Sequence, residues 1–501
     1  MNTTTRIAVV GAGPGGLMCA RVLQRHGGGI DVYDTDASVD ARDPGGTLDL
    51  HADSGQIAIE DAGLLDEFNA LARPEGQAKS RLDHHGNVLA AFVPDEDDDA
   101  ALEIDRAQLR IMLSEHVEPG TVRWGHKLLD ATALGDGTRR LEFAGGVTVE
   151  ADLVVGADGA WSRVRPLLSD AVPRYSGISY LDVHFADVDN RHPELAKLVG
   201  PGHVFVTDGA GQGIVGQRNS NGHIRGYVAM RTDADWYEKA GVDLDDADSV
   251  RRYLLEKFGG WADELLQFVT DTDFGFINRP IYALPAPLTW EHAPGVTLIG
   301  DAAHVMAPFG GFGVNLAMLD GAELAHTIAG EATIDAAIAR YEETMLPRSG
   351  EHAVGANAAL ARFFSTAGLD PARIRDHEAE HQRYKQAAAD YRRRRQNTPT
   401  RKEGTTVAAD GTWTIKFDTP RGEQQAELMF ETAGGRLTGT WDGGAIEDGR
   451  VDGDAVSFKA RLTSPFRMKI KCAASIDGDA ITGKAKAPMM TVPFAGTREA
   501  A

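Results

Sequence analysis

The sequence predicts an α/β protein. A dinucleotide-binding βαβ unit opens the chain, a smaller sheet domain is inserted into it, and an extra all-β domain closes it. Three observations carry this prediction. Gly11-Ala12-Gly13-Pro14-Gly15-Gly16 lies between an apolar run at 6–10 and the helical pattern Leu17, Ala20, Leu23, which is G-x-G-x-x-G at a strand-to-helix junction. Two more apolar runs, at 153–155 and 296–299, end in Gly156-Ala157-Asp158-Gly159 and in Gly300-Asp301-Ala302-Ala303-His304. Beyond Thr405 apolar and polar residues alternate in repeated short runs, the pattern of half-buried strands.

In the first unit the glycines serve different ends. Gly11 permits the tight turn, Gly13 lets backbone approach a pyrophosphate, and Gly16 lets helix and strand pack closely. The strand candidate at 30–33 ends in Asp34, where a carboxylate can hold a ribose hydroxyl. Asp158-Gly159 alone is a common turn dipeptide; its place between the fingerprint and the later Gly-Asp makes it informative. Gly300-Asp301 precedes small, helix-compatible residues at 316–328, so several backbone N–H groups stand at a helix N-terminus, where an anion is favoured.

Between these motifs, residues 204–206, 213–215 and 226–230 read as short strands separated by Gly/Asn turns. A long helical pattern begins at 336, and a charged helix ends in Arg392-Arg393-Arg394-Arg395 before a polar linker at 397–404. Four arginines at a helix C-terminus read as a solvated end favoured by the macrodipole rather than as an anion site. In the last segment Trp413, Ile415 and Phe417 alternate with polar residues, as do Ala426, Leu428 and Phe430, and Met468, Ile470 and Cys472. Turns recur at Gly434-Gly435, Asp442-Gly443-Gly444, Asp452-Gly453 and Asp477-Gly478. This is an antiparallel meander closing into a small barrel or sandwich. No His/Cys cluster or acid pair in it suggests chemistry, so it reads as a lid, a dimerisation element or a binding module.

Composition narrows the class. At 501 residues the chain has length for several domains. Its 51 basic residues face 74 acidic ones, a net charge of −23, which argues against nucleic acid or an anionic membrane as partner. Cys19 and Cys472 lie in different segments, so no disulfide framework is implied. No apolar run is long enough for a membrane helix. Polar residues 1–5 lead straight into the first strand, leaving no room for a signal peptide. A cytoplasmic protein, monomer or homodimer, is the expectation.

Together the three motifs resemble class A flavoprotein monooxygenases of the para-hydroxybenzoate hydroxylase fold. Ala41-Arg42-Asp43-Pro44-Gly45-Gly46-Thr47-Leu48-Asp49-Leu50-His51, with Ser54-Gly55-Gln56 and Ala62-Gly63-Leu64-Leu65, is similar to the tetracycline-inactivating members of that class. So are Ile104-Asp105-Arg106 with Leu109-Arg110, and residues 299–304 with Pro308-Phe309. The resemblance covers residues 5–365 and stops there. It implies a Rossmann-like FAD-binding domain of the glutathione-reductase type at 1–175 and 275–345. A substrate-binding sheet domain would occupy 176–274 and bridging helices and linker 346–400, leaving 405–500 as the added β domain.

The resemblance also assigns positions. Gly11, Gly13, Pro14 and Gly16 would meet the FAD pyrophosphate, Asp34 a ribose, and Gly300 and Asp301 the ribityl chain and pyrophosphate. Asp49 and Arg106 match flavin-contacting positions. Arg42 matches a position in contact with the reduced nicotinamide, and Asp158 a motif serving both nucleotides. Pro308, Gly311, Gly313, Val314 and Asn315 would run beside the isoalloxazine ring. Gln217, Arg218, Met230, Phe309 and Phe312 are candidate substrate contacts. His304 reads as a packing or hydrogen-bonding residue, and no side chain is assigned a catalytic or metal-binding role. Two departures stand out: Thr35 replaces an arginine near the adenine, and Phe312 a glutamine, which makes that surface less polar.

The implied activity is NAD(P)H- and O2-dependent hydroxylation of a polycyclic aromatic or polyketide-type molecule, tetracycline-like compounds included, by way of a flavin C4a-hydroperoxide. The reductant, NADPH or NADH, is left open. Two alternatives remain: a flavin-dependent halogenase, whose W-x-W-x-I-P segment is absent, and a non-catalytic flavoprotein whose C-terminal β domain is a binding module.

Overall fold

The computed structural model describes residues 5–41, 45–134, 137–368, 374–397, 409, 411–419, 422–433, 436–442, 444–452, 455–462, 468–477, 479–487 and 490–498. The chain divides into two compact units, Met1–Arg394 and Arg395–Ala501.

The first unit is built on a five-stranded parallel sheet. Its order is Val296–Leu298, Leu153–Gly156, Ile7–Val10, Asp31–Tyr33, Val122–Arg123. Ile7–Val10 and Leu153–Gly156 are buried at every position, as strands covered on both faces must be. One cover is a pair of helices, Pro14–Arg25 and Phe312–Gly330. They approach so closely that a Cβ on Gly15 would lie 2.7 Å from the Ala317 carbonyl oxygen, and one on Gly321 would lie 2.3 Å from that of Gly15. Glycine is what lets the two backbones meet. Cys19 is fully buried there and Cys472 is buried in the second unit; both are free thiols.

A seven-stranded sheet stands beside this layer. Its order is Ile277–Ala283, Arg174–Phe185, His223–Arg231, Gln212–Asn219, His203–Thr207, Lys79–Asp83, Val88–Phe92. One face packs Leu181, Val183, Val204, Ile214 and Val228 against helices that carry Trp236, Leu254 and Phe268. The sheet is therefore wider than residues 176–274. Lys79–Asp83 joins it by parallel pairing with His203–Thr207, and Ile277–Ala283 by antiparallel pairing with Arg174–Phe185. Such long-range pairing leaves no local trace, and Lys-Ser-Arg-Leu-Asp does not alternate as a half-buried strand would.

The second unit is an antiparallel sheet of nine strands, in which Gly422–Ala433 also pairs with Arg436–Trp441. That pairing brings the two ends of the strand order together, so the sheet curls into a near-closed barrel. Trp413, Ile415, Leu428, Phe430, Phe458, Ile481 and Phe494 fill its interior. Among the described residues, no helix is long and apolar enough to cross a membrane.

Candidate functional site

A cavity of about 1260 Å³ opens in the first unit between the parallel layer and the seven-stranded sheet. Its size exceeds the roughly 300–1,000 Å³ usual for one small ligand. The wall holds Gly13, Pro14, Gly16, Asp49, Arg106, Gly300, Asp301, Pro308, Gly311, Gly313 and Val314, together with Gln217, Phe309 and Phe312. Residues far apart in the chain thus share one space.

At one end, the fingerprint glycines differ as their roles require. Gly11 has φ +112°, and a Cβ there would lie 2.2 Å from the Ala157 carbonyl oxygen. On Gly16 a Cβ would lie 2.0 Å from the carbonyl oxygen of Gly11, whereas on Gly13 it would meet nothing within 4 Å. Gly13 begins the helix Pro14–Arg25 without a side-chain cap. The second long helix, Phe312–Gly330, begins at Gly311 and is likewise uncapped, and Gly313 in its first turn also faces open space. Two uncapped helix N-termini on one cavity wall suit an elongated, negatively charged ligand. FAD, with a pyrophosphate between two flat ring systems, fits that description.

Several expected contacts lie behind the wall and act as braces. Asp34 accepts the N–H groups of Ala12 (2.6 Å) and Asp36 (2.8 Å), so its carboxylate fastens the glycine loop. Fully buried Asn315 accepts the N–H groups of His51 (2.8 Å) and Gly55 (3.1 Å). Its amide also donates to the carbonyls of Asp49 (2.7 Å) and Gly311 (2.9 Å). One oxygen of Asp158 accepts from the backbone of Arg163 (2.7 Å); the other is buried without a partner, and burial raises the carboxyl's pKa. His304 lies 2.7 Å from buried Asp320, which also accepts the Gly300 N–H and pairs with Arg348. Its role is structural, and Asp320 and Arg348 are the partners that the motif alone could not reveal. Arg42 lies outside the described residues.

Two substrate candidates fall on the wrong side of the sheet. Met230 belongs to the helix-facing core with Val228 and Ile214. Arg218 shares the helix-facing register of Ile214 and Gly216, and pairs with Asp189. Successive strand residues point to opposite faces, so the cavity receives Gln217 and Tyr227 instead. Phe312 stays on the wall, its ring edge-on to His51 (5.6 Å) and His352 (4.7 Å). Phe205, Tyr180, Tyr227, Phe309 and Phe363 give this side of the cavity an aromatic lining.

Sequence reasoning does not reach a buried ionic cluster behind Asp49. Lys79 lies 3.4 Å and His51 3.5 Å from the Asp49 carboxylate. Burial alone would raise that carboxyl, but Lys79, His51 and His203 hold it well below the usual range. Glu103 sits opposite Asp49 in the strand pair Thr47–His51 and Ala101–Asp105. It accepts a hydrogen bond from the Thr47 hydroxyl (2.6 Å), and burial together with the Asp49 charge pushes it up to about 8. His203, 3.6 Å from Glu103, is pulled down to about 3 by burial and the Lys79 charge. Its other ring nitrogen is 3.3 Å from the Gln217 amide.

Comparison with known proteins agrees with this geometry. Residues 4–266 and 287–353 match a family described as FAD binding domain. The chain is 30% identical over 401 residues to monooxygenase penA of Penicillium thymicola, covering 69% of this chain and 92% of that one. Among solved structures, Klebsiella pneumoniae HpxO complexed with FAD and uric acid superposes with a TM-score of 0.62 at 19% identity. That match covers 78% of this chain and 94% of HpxO. Tetracycline destructase Tet(55) gives 0.58 at 20% identity, over 77% of this chain and 97% of its own. At these identities the structural matches speak for the fold.

Proposed function

The chain belongs to the family of FAD-dependent monooxygenases, and from that membership we propose that it hydroxylates a polycyclic aromatic or polyketide-type molecule at the expense of NAD(P)H and O2. The observation that supports this reading is the joining, in one cavity, of two uncapped helix N-termini with an aromatic sheet face. When bound, FAD supplies the redox and oxygen-transfer chemistry.

The chain's residues do the rest. Gly13 and Gly16 offer backbone to the pyrophosphate, with Gly11 and Asp34 holding the loop's shape. Asp301, exposed at a helix start on the wall, accepts from ribityl hydroxyls. The segment 308–314 would lie along the flavin ring, held at Gly311 by Asn315. Arg106, packed beside Gly45, would offer a cation to the flavin carbonyl edge, and Asp49 lies against Gly311. Asp158 belongs to the strand-end turn shared by both nucleotides. The aromatic lining receives the substrate rings and keeps water from the reacting centre. A tetracycline is one member of the substrate class.

The test is reconstitution with FAD, then NADPH and NADH oxidation with and without a panel of polycyclic phenols and enols that includes tetracycline. We expect substrate-stimulated oxidation of the nicotinamide and a product heavier by one oxygen atom. Protein that stays colourless after incubation with FAD would sink the proposal. Oxidation that no panel member stimulates would remove the substrate class.

A further inference from the structure

The cavity wall carries several basic side chains, and almost all are spoken for. Lys79 is paired with Asp49, Arg279 with Asp182, and Arg375 with Glu380. Arg362 is exposed, and Arg106 has a partner of its own. Arg81 differs. It stands half-buried on the strand Lys79–Asp83, in register with Phe205 on one neighbour and Ala90 on the other. Its guanidinium lies 4.2 Å over the ring of Phe363, and Phe363 in turn packs at 5.1 Å on Phe309. No carboxylate pairs with it and no acceptor takes its N–H groups among the described residues, and its Nε is buried with no hydrogen-bond partner. An arginine partly desolvated on an aromatic ring, with its Nε–H buried and unmet, is costly unless something completes it.

We infer that Arg81 selects a substrate that carries a carboxylate or another anionic oxygen group on its ring system. This rests on the monooxygenase reading of the cavity and adds to it the charge of the substrate. The planar fork of a guanidinium matches two oxygens at once. Phe363 lies under the guanidinium, and Phe205, Tyr180 and Tyr227 supply surfaces for the rings that bear the acid. Burial pulls Arg81 down to about 10 with no acid acting on it, so the side chain is charged at neutral pH. In the proposed reading FAD would meet other parts of the wall, the glycine loop, Asp301 and the segment 308–314, which leaves the cation to the substrate.

The experiment measures binding to the FAD-loaded protein by titration calorimetry and by perturbation of the flavin absorbance. The probes are benzoate, 2-naphthoate and 9-anthroate, each beside its neutral carboxamide. At least one acid should bind about tenfold or more tighter than its amide. Arg81→Met should erase that preference by weakening the acid while the amide stays within about twofold, and Arg81→Lys should keep part of it. Wild-type protein that binds every acid no tighter than its amide overturns the inference. So does an acid preference that survives Arg81→Met, or a variant that weakens acid and amide equally, as lost packing on Phe363 would. The wild-type comparison decides even if Arg81→Met does not fold. Acid preference without substrate-stimulated NAD(P)H oxidation would remove the monooxygenase reading and leave the anion site; stimulated oxidation without acid preference would remove only the site.

Discussion

At the scale of single residues, the most exacting position is Glu103, 1% exposed and beside a second carboxylate. Its folded-state pKa, pushed up to about 8, lies above the ordinary carboxylic value of about 4.3. The unfolded chain therefore gives up this proton first as pH rises. Below about pH 4 the group has no effect. From there to about 8 it makes folding progressively less favourable, by an amount on the order of a few kcal/mol. Asp49 is shifted the other way, so its contribution is lost only when pH falls through the acid range, outside this window. Glu103→Gln keeps an acceptor for the Thr47 hydroxyl without a proton to lose. His203, pulled down to about 3, acts in the opposite sense over part of this range, so the two proteins must be compared. In thermal denaturation of the apoproteins, Glu103→Gln should gain Tm relative to the wild type between pH 5 and pH 8, and an equal difference at both would refute the assignment. No pattern in the sequence exposes this residue. Glu103 faces Asp49 only through a strand pairing, and His203 and Lys79 only through a second one. The roles of Gly11, Gly13 and Gly16 are legible because a tight turn and a close backbone approach are constraints within a few residues.

At the scale of elements, the start of the helix Phe312–Gly330 decides whether the wall at 308–314 has a fixed shape. Gly310 and Gly311 both take positive φ, +91° and +70°, a conformation that glycine adopts at little cost. Flexible glycines must be held: from a fully buried side chain Asn315 donates to the Gly311 carbonyl, and three more hydrogen bonds tie it to Asp49, His51 and Gly55. Asn315→Ala leaves two N–H groups and two carbonyls to find other partners, at a cost of about 2–4 kcal/mol. Calorimetric unfolding of the apoprotein should show that loss, and fluorescence titration should show FAD bound at least about tenfold more weakly. A variant with wild-type FAD affinity would mean that the loop keeps its shape without the brace. The motif marks Asn315 by position, yet as a surface beside the flavin, not as the post behind it. Strand alternation produces the same kind of error. Side-chain chemistry favours Arg218 and Met230, but period two turns them to the helix-facing side and gives Gln217 and Tyr227 to the cavity. Which parity faces inward is set by the whole sheet, and its edge strands come from segments far outside 176–274 or just beyond it.

At the scale of the molecule, every residue of the cavity wall lies within Met1–Arg394, and the family match ends at residue 353. The barrel unit has its own core around Trp413, Phe430 and Phe458, and its first strand in the order pairs again with the next-to-last, Arg436–Trp441. About 100 residues is an ordinary size for a domain that folds on its own. The division matters for where a cut can be made. Helix His377–Asn397 must stay with the first unit, because Tyr384 stacks on His51 at 4.2 Å and His381 lies 2.7 Å from the Asp98 carboxylate. His51 in turn touches Asp49 and Phe312, so losing the helix would loosen the cavity from behind. A chain ending at Asn397 should bind FAD within about twofold of the full-length protein, whereas one ending at residue 366 should lose most of that affinity. A fragment of residues 405–501 should unfold cooperatively on its own and take up no FAD. The separation fails if the Asn397 truncation, shown folded by its near-UV circular dichroism, binds the cofactor only weakly.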